Sequence, residues 1–360
     1  MQCTKISAAQ FFTAMFVSRV VVTIALNAQY TGGQHMLDNI FSYLLAMLLG
    51  AAIALPIWLA TRGQVQGVPG LAMARLGWLG GLVPLCYGLY FVLVGGTSLA
   101  LFQIFLMDTV NPGFSAGLVV VALLAVALYG ALHGLETVAR CAVCVFIVLL
   151  AGCGLVFFMA SARFRWENLE PLFYDGFAQT GQGVMLFIAR TSIFADMAVL
   201  LPQVRGRKKL GFLSWAAGTA AFVSVTILMI VGCLGRYAYT QNFPVYVLAS
   251  LTEVRSLQRL DAVFTGVWMM GLIIKLACDL YACRVCFSAL RPRGGRVPGW
   301  TVCATALLVL GVALLTAGSS GMQGFLLNTG FLFWCTVITG AALPLLVWVA
   351  GKGRKGGKTR

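Results

Sequence analysis

The sequence predicts an all-α polytopic membrane protein with ten transmembrane helices, and three observations carry that prediction. Of 360 residues, 60% are hydrophobic and only 10% are charged, with a mean hydropathy of +0.93. Soluble domains carry roughly 25% charged residues and cannot hide this much apolar surface in a core. The apolar residues also fall in runs of about twenty, the length that crosses a bilayer as a helix, whereas barrel strands alternate. Finally, Lys and Arg segregate between alternate loops. These features exclude a water-soluble enzyme, a disordered chain and, despite the net charge of +15, a nucleic-acid binder.

The expected spans are Ala8–Ala28, Leu37–Ala60, Gly81–Met107, Phe114–Leu132, Val138–Ala160, Val184–Leu201, Phe212–Gly235, Ala262–Phe287, Trp300–Ala317 and Phe325–Val349. The first is read as a helix and not as a removable signal peptide, because Arg19 interrupts its apolar run and no A-x-A site follows. The segments Thr61–Gly80, Ser161–Gly183 and Arg236–Asp261 are too short for an independent core. The latter two carry Trp166, Phe173, Phe243 and Tyr246, which suit short helices lying at the bilayer interface.

One set of alternate loops holds 17 of the 25 basic residues: Lys5, Arg62, Arg75, Arg140, the Arg205–Lys209 cluster, Arg284–Arg296 and the tail Lys352–Arg360. The other set holds 5: Arg163, Arg165, Arg236, Arg255 and Arg259. An alternation that stays in phase over nine loops predicts both termini in the cytoplasm, with the tail 351–360 anchored at an anionic leaflet. Five spans precede the external segment 161–183 and five follow it. An odd number per half forces opposite orientations, so repeat one (about 6–160) and repeat two (about 184–350) are expected as inverted halves of one integral membrane domain.

Arg140 and Arg284 stand near span ends and count with the loops, which leaves Arg19, Arg190 and Lys275 as the basic residues in the interior of spans. Each such group costs several kcal/mol at mid-bilayer and requires a partner. Lys275 and Asp279 are spaced i,i+4 on one face, which permits either a self-satisfied pair or a pair facing a central cavity. Arg19, with Thr23 one turn on, requires carboxylate or carbonyl partners, unless it snorkels to the interface. Arg190, Ser192 and Asp196 lie in the sixth span, with Arg190 nearer its external end. Tyr87, Tyr90, Thr97 and Ser98 stud the third span, where Gly95-Gly96 permits close backbone approach. Trp268 in the eighth span lines either a cavity or the core.

The pairs Cys141/Cys144 and Cys283/Cys286 have three-residue spacing but no nearby His, so they read as small packing residues. Glu136 and Arg140, one turn apart, read as a structural latch. No nucleotide loop, nucleophile–base pair or zinc signature is present, so no enzyme, cofactor or metal is expected.

Four strings in order carry a family resemblance: Lys5-Ile6-Ser7 with Gln10-Phe11; Gly134-Leu135-Glu136-Thr137-Val138-Ala139-Arg140; Asn168-Leu169-Glu170-Pro171-Leu172; and Leu257-Gln258-Arg259-Leu260-Asp261-Ala262-Val263-Phe264 with Trp268 and Lys275 downstream. Together they resemble the spore germination permease family, the GerAB-type membrane subunit of nutrient germinant receptors. The resemblance implies the amino acid–polyamine–organocation superfamily fold and a small nutrient bound between the first, third, sixth and eighth helices. It further implies two partner subunits and a place in the inner membrane of the cell or spore. On that basis Arg19, Thr23, Tyr87, Tyr90, Thr97, Arg190, Ser192, Trp268, Lys275 and Asp279 are the ligand-binding candidates. An ion-coupled secondary transporter of amino acids or related amines is the alternative. Superfamily members break the first and sixth helices at glycines, yet Ile6–Gln29 and Val184–Leu201 contain neither Gly nor Pro. Ser18-Arg19 and Arg190-Thr191-Ser192 occupy those depths, so either a break forms without glycine or side chains do the binding.

Overall fold

The computed structural model describes residues 6–24, 36–110, 116–169, 173, 177–251, 260–291 and 298–356. Parts of the family strings (Lys5, 170–172 and 257–259), the ends of the basic loops and residues 357–360 lie outside these ranges.

The helices run in chain order as α1 (Ala8–Ile24), α2 (Asn39–Thr61), α3 (Val68–Leu76), α4 (Leu82–Phe105), α5 (Ala116–His133), α6 (Leu135–Ala160), α7 (Phe177–Ala189), α8 (Ile193–Leu200) and α9 (Lys208–Leu234). They continue as α10 (Pro244–Ser250), α11 (Leu260–Ala289), α12 (Gly299–Gly318), α13 (Ser320–Leu326), α14 (Thr329–Val337) and α15 (Leu343–Gly356). Among the described residues, eight helical stretches are long and apolar enough to cross a membrane. The first and fourth expected spans are present as the shorter apolar helices Ala8–Thr23 and Gly117–His133. The polytopic all-α class therefore stands, with eight of the ten expected spans at full crossing length.

The differences from expectation have physical causes. The loop 61–80 contains the extra helix α3, whose Pro69 sits in the first turn, where a missing N–H costs nothing. The sixth span starts at Phe177 rather than Val184, because the Gly-containing stretch 177–183 is helical once it packs against α2. The tenth span is not continuous. It breaks at Leu327-Asn328, where Asn328 accepts the Phe331 N–H at 3.0 Å and starts α14 afresh.

Three pairs of contacts link equivalent helices of the two halves. α1 packs on α6 as α7 packs on α14; α7 packs on α2 as α1 packs on α9; and α4 packs on α12 as α11 packs on α5. Gly96 brings α4 against α12 so closely that an added Cβ would sit 2.6 Å from the Val312 Cβ. The stretch 177–203 is the most enclosed of the crossing segments, 94% buried, while α2, α6 and α12 turn Leu48, Phe158 and Leu307 outward.

Several links tie helix ends together. Strand β1 (Ile6–Ser7) pairs in parallel with β2 (Val204–Arg205), Arg75 donates to the Val347 carbonyl at 2.9 Å, and Arg284 donates to the Leu132 carbonyl at 3.3 Å. Asn168 donates to the Gly232 carbonyl at 2.8 Å and the Phe173 N–H to Asp38 at 3.0 Å. The expected latch Glu136–Arg140 is an exposed 2.5 Å pair on one face of α6, worth only ~0.3–0.5 kcal/mol. A reporter active only outside the cytoplasm should be active when fused after Gln241 and silent when fused after Arg207. Activity at both positions would break the alternation.

Candidate functional site

The centre of the molecule is a helix interrupted without glycine. α7 ends at Ala189, α8 begins at Ile193, and Arg190-Thr191-Ser192 links them unwound. Ser and Thr weaken a helix by offering their backbone alternative hydrogen bonds. Local capping is nevertheless not the cause, since Ser192 stands at the N-cap position of α8 without a side-chain cap bond. Tertiary partners hold the break open.

Unwinding frees carbonyls that would otherwise accept from the residues four places on, and in a lipid-dissolved protein each needs a donor. Side chains from three other helices supply them. Arg19 on α1 donates to the Phe187 carbonyl at 2.7 Å and to the Arg190 carbonyl at 3.4 Å, and its Nε reaches the Tyr43 hydroxyl at 3.2 Å. Tyr90 on α4 donates to the Thr191 carbonyl at 2.7 Å. The Thr336 hydroxyl on α14 lies 3.2 Å from the Ala189 carbonyl and 2.9 Å from the Tyr90 hydroxyl. The partners of the guanidinium are therefore carbonyls and a phenol, and Arg19 is 3% exposed rather than snorkelled.

The other candidates divide into distinct surroundings. Thr97 and Arg190 line one narrow cavity with Val22, Val94, Ser98, Leu101, Ala189, Leu327 and Leu332. That cavity is about 10 Å³, room for about one water. Arg190 donates to the Leu327 carbonyl at 3.3 Å. Leu327 also borders a wider pocket of about 500 Å³ formed with Ser320, Gln323, Gly324, Asn328, Thr329 and Gly330. Leu327, itself buried, thus lines both the wide pocket and the narrow one.

Lys275 and Asp279 form a buried pair, with Nζ to Oδ2 at 2.6 Å and side-chain exposures of 1% and 2%. They lie electrostatically close to Asp196 in the first turn of α8, and Ser192 stands beside both carboxylates. Tyr87 donates to the Thr339 carbonyl at 2.5 Å, within the π-helical turn Ile338–Ala342 that joins α14 to α15. Thr23 returns its hydroxyl to the Arg19 carbonyl at 2.9 Å. Trp268 stands apart from the cavity, packed among Phe102, Phe105, Phe243 and Phe264 with ring centroids 4.4–5.9 Å away. Cys283 and Cys286 are buried separate thiols, whereas Cys141 and Cys144 are exposed.

Leu327 and Thr336 were not legible in the sequence as site residues. Each looks like an ordinary apolar or small residue of the tenth span, and only Asn328-Thr329, a cap-like pair inside an apolar run, signals the break beside them. Removing Arg19 leaves at least two buried carbonyls without a donor, at roughly 1–3 kcal/mol each. Arg19→Ala should therefore lower the thermal midpoint of the protein in lipid nanodiscs well below that of Thr23→Ala. Arg19→Lys should recover part of the loss, because an ammonium still donates but lacks the fork. Equal midpoints for Arg19→Ala and wild type would contradict this role.

Comparisons with known proteins agree with this geometry. The fold resembles a Na+-coupled sialic acid symporter in its substrate-bound outward-open state, with a TM-score of 0.59 at 13% identity, covering 94% of this chain and 82% of the other. It also resembles the Eremococcus coleocola manganese transporter, with a TM-score of 0.50 at 14% identity over 94% and 78% of the two chains. At such identity the likeness concerns the fold alone. By sequence, the chain is 22% identical over 287 residues to spore germination protein YndE of Bacillus subtilis (78% of this chain, 77% of the other). It is 24% identical over 257 residues to spore germination protein KB of the same organism (66% and 68%). The family model described as spore germination protein, with the short name spore permease, matches residues 5–293. A carrier-like bundle with a side-chain-held break in its sixth span, matched over most of its length by that model, belongs to the spore germination permease family.

Proposed function

We propose that this protein recognises a small nutrient such as an amino acid, as the membrane subunit of a spore germinant receptor, and passes its arrival to two partner subunits. In this reading residues 6–160 and 184–350 are oppositely oriented five-helix halves, and both termini are cytoplasmic. Family membership supports the germination role. The observation that carries ligand recognition is Arg190, an arginine of the unwound link lining the central cavity beside Thr97. A planar guanidinium in a largely apolar enclosure suits the carboxylate of a small zwitterion.

The central cavity is too small for an amino acid as it stands. We therefore read the structure as a closed state, with the nutrient entering from the wide pocket past Leu327. Arrival of the ligand carboxylate would draw Arg190 from the Leu327 carbonyl and shift the α13–α14 junction. A ligand moves an equilibrium only by binding one state better than the other, and this exchange of partners supplies such a difference. Arg19 and Tyr90 then serve by holding the broken backbone, Tyr87 by holding the π-helical turn at Thr339, Thr23 by bonding within α1 beside Arg19, and Ser192, Lys275 and Asp279 by setting the polar surroundings of the link.

The alternative, ion-coupled transport of the same class of solute, draws support from the likeness of the fold to a Na+-coupled symporter. Uptake separates the two readings. For a receptor, proteoliposomes holding the protein should bind a labelled amino acid yet accumulate none under an imposed ion gradient.

Spores lacking the gene should lose their germination response to at least one nutrient, and an unchanged response to every nutrient would sink the proposal. In a panel of free amino acids, the one that raises the thermal midpoint of wild type should bind Arg190→Gln roughly 10- to 100-fold more weakly. That is the loss of one charged hydrogen bond of ~1.5–3 kcal/mol.

A further inference from the structure

We propose that Asp196 is a proton-binding site: the closed core holds it as the neutral acid, and any opening that wets it releases that proton to water. Asp196 lies in the first turn of α8 and is 0% exposed. Neither of its carboxyl oxygens has a hydrogen-bond partner among the described residues. The nearby ammonium is already committed, since Lys275 donates to Asp279 at 2.6 Å. The second oxygen of Asp279 and the hydroxyl of Ser192 likewise have no partner, although Ser192 stands beside both carboxylates.

The surroundings can be counted element by element. α11 presents Lys275, Asp279 and the thiols of Cys278, Cys283 and Cys286; α4 presents Tyr90, whose hydroxyl goes to the Thr191 carbonyl. α2 carries only Tyr43, engaged with Arg19, and α3 only Arg75, engaged with the Val347 carbonyl. Arg19 donates to the carbonyls of Phe187 and Arg190, and Arg190 to that of Leu327. Two buried carboxylates therefore share one buried ammonium. An ionised carboxylate whose one uncommitted neighbouring donor is a serine hydroxyl shared with a second carboxylate is among the most expensive groups to bury, and the group neutralises instead. Protonation supplies the missing charge without requiring space for an ion and its ligands. On opening, the Asp196 O–H bond breaks with its electron pair left on the carboxylate, and the proton passes to water. The inference is independent of the ligand the protein recognises.

Infrared spectroscopy of the whole protein in lipid nanodiscs reads this directly. Wild type at neutral pH should show the C=O stretch of a buried neutral carboxylic acid, absent in Asp196→Asn and unchanged when sodium is replaced by a bulky organic cation. In Asp279→Asn the band should also vanish, because Asp196 then ionises to pair with Lys275. A second measurement does not depend on any variant folding. One proton bound in the closed state and lost on unfolding makes stability fall as pH rises above the ordinary carboxylate value of ~4, with the unfolding constant increasing about tenfold per pH unit while the folded state keeps its proton. In Asp196→Asn that slope should flatten. No carboxylic acid band in wild type, a band that persists in Asp196→Asn, or a requirement for sodium in place of the pH slope would each overturn the proposal.

Discussion

The structure depends on a simple constraint: a polypeptide dissolved in lipid cannot leave backbone carbonyls unpaired. Interrupting the sixth span at Arg190-Thr191-Ser192 violates the helical ladder at the most buried place in the molecule. Water would satisfy such a break in a soluble protein; here Arg19, Tyr90 and Thr336 must do so. The three donors come from α1, α4 and α14, and the break therefore ties three helices to one short link. Any rearrangement of the link must exchange those bonds, which makes it a natural place for a two-state element.

The electrostatics follow from the same break. The last turn of α7 exposes carbonyl oxygens, the negative end of a helix, and the cation Arg19 sits there. The first turn of α8 is the positive end of another helix, and the acid Asp196 sits there. Beyond Asp196 the Lys275–Asp279 pair closes on itself with a 2.6 Å bond. A cation and a titratable acid thus flank the unwound link on the sides the helix dipoles favour. Such a placement lowers the cost of burying the cation but does not remove it, and buried charges contribute little to net stability. Their use lies in setting how the link responds to a change of charge nearby.

In the proposed route of entry the barrier is apolar packing. Leu327 is 3% exposed and borders both the wide pocket and the narrow cavity. The chain breaks immediately after it, at Asn328, so the residue sits just past the end of the short helix α13 and before the fresh start of α14. Packed cores switch between discrete arrangements more readily than they deform, which suits a barrier formed by one apolar side chain. Trp268, by contrast, is fixed by four aromatic neighbours and belongs to the rigid frame.

The sequence by itself determined the class of solvent, the approximate spans and the family. All three rest on composition and on local strings, which need no knowledge of neighbours. It also marked Arg19, Arg190, Lys275 and Asp279, because a charge within an apolar run stands out wherever it points. Only the tertiary structure decided what each charge touches. The i,i+4 spacing foretold the Lys275–Asp279 contact, since both ends lie on one helix. The carbonyl partners of Arg19 lie some 170 positions away in sequence, at separations of 168 and 171, and no local pattern encodes them. The break in the sixth span was hidden for the same reason: neither glycine nor proline marks it, and donors from distant helices hold it open. The tenth span reads as one apolar run because its break depends on a single asparagine cap whose effect shows only once the flanking helices are placed.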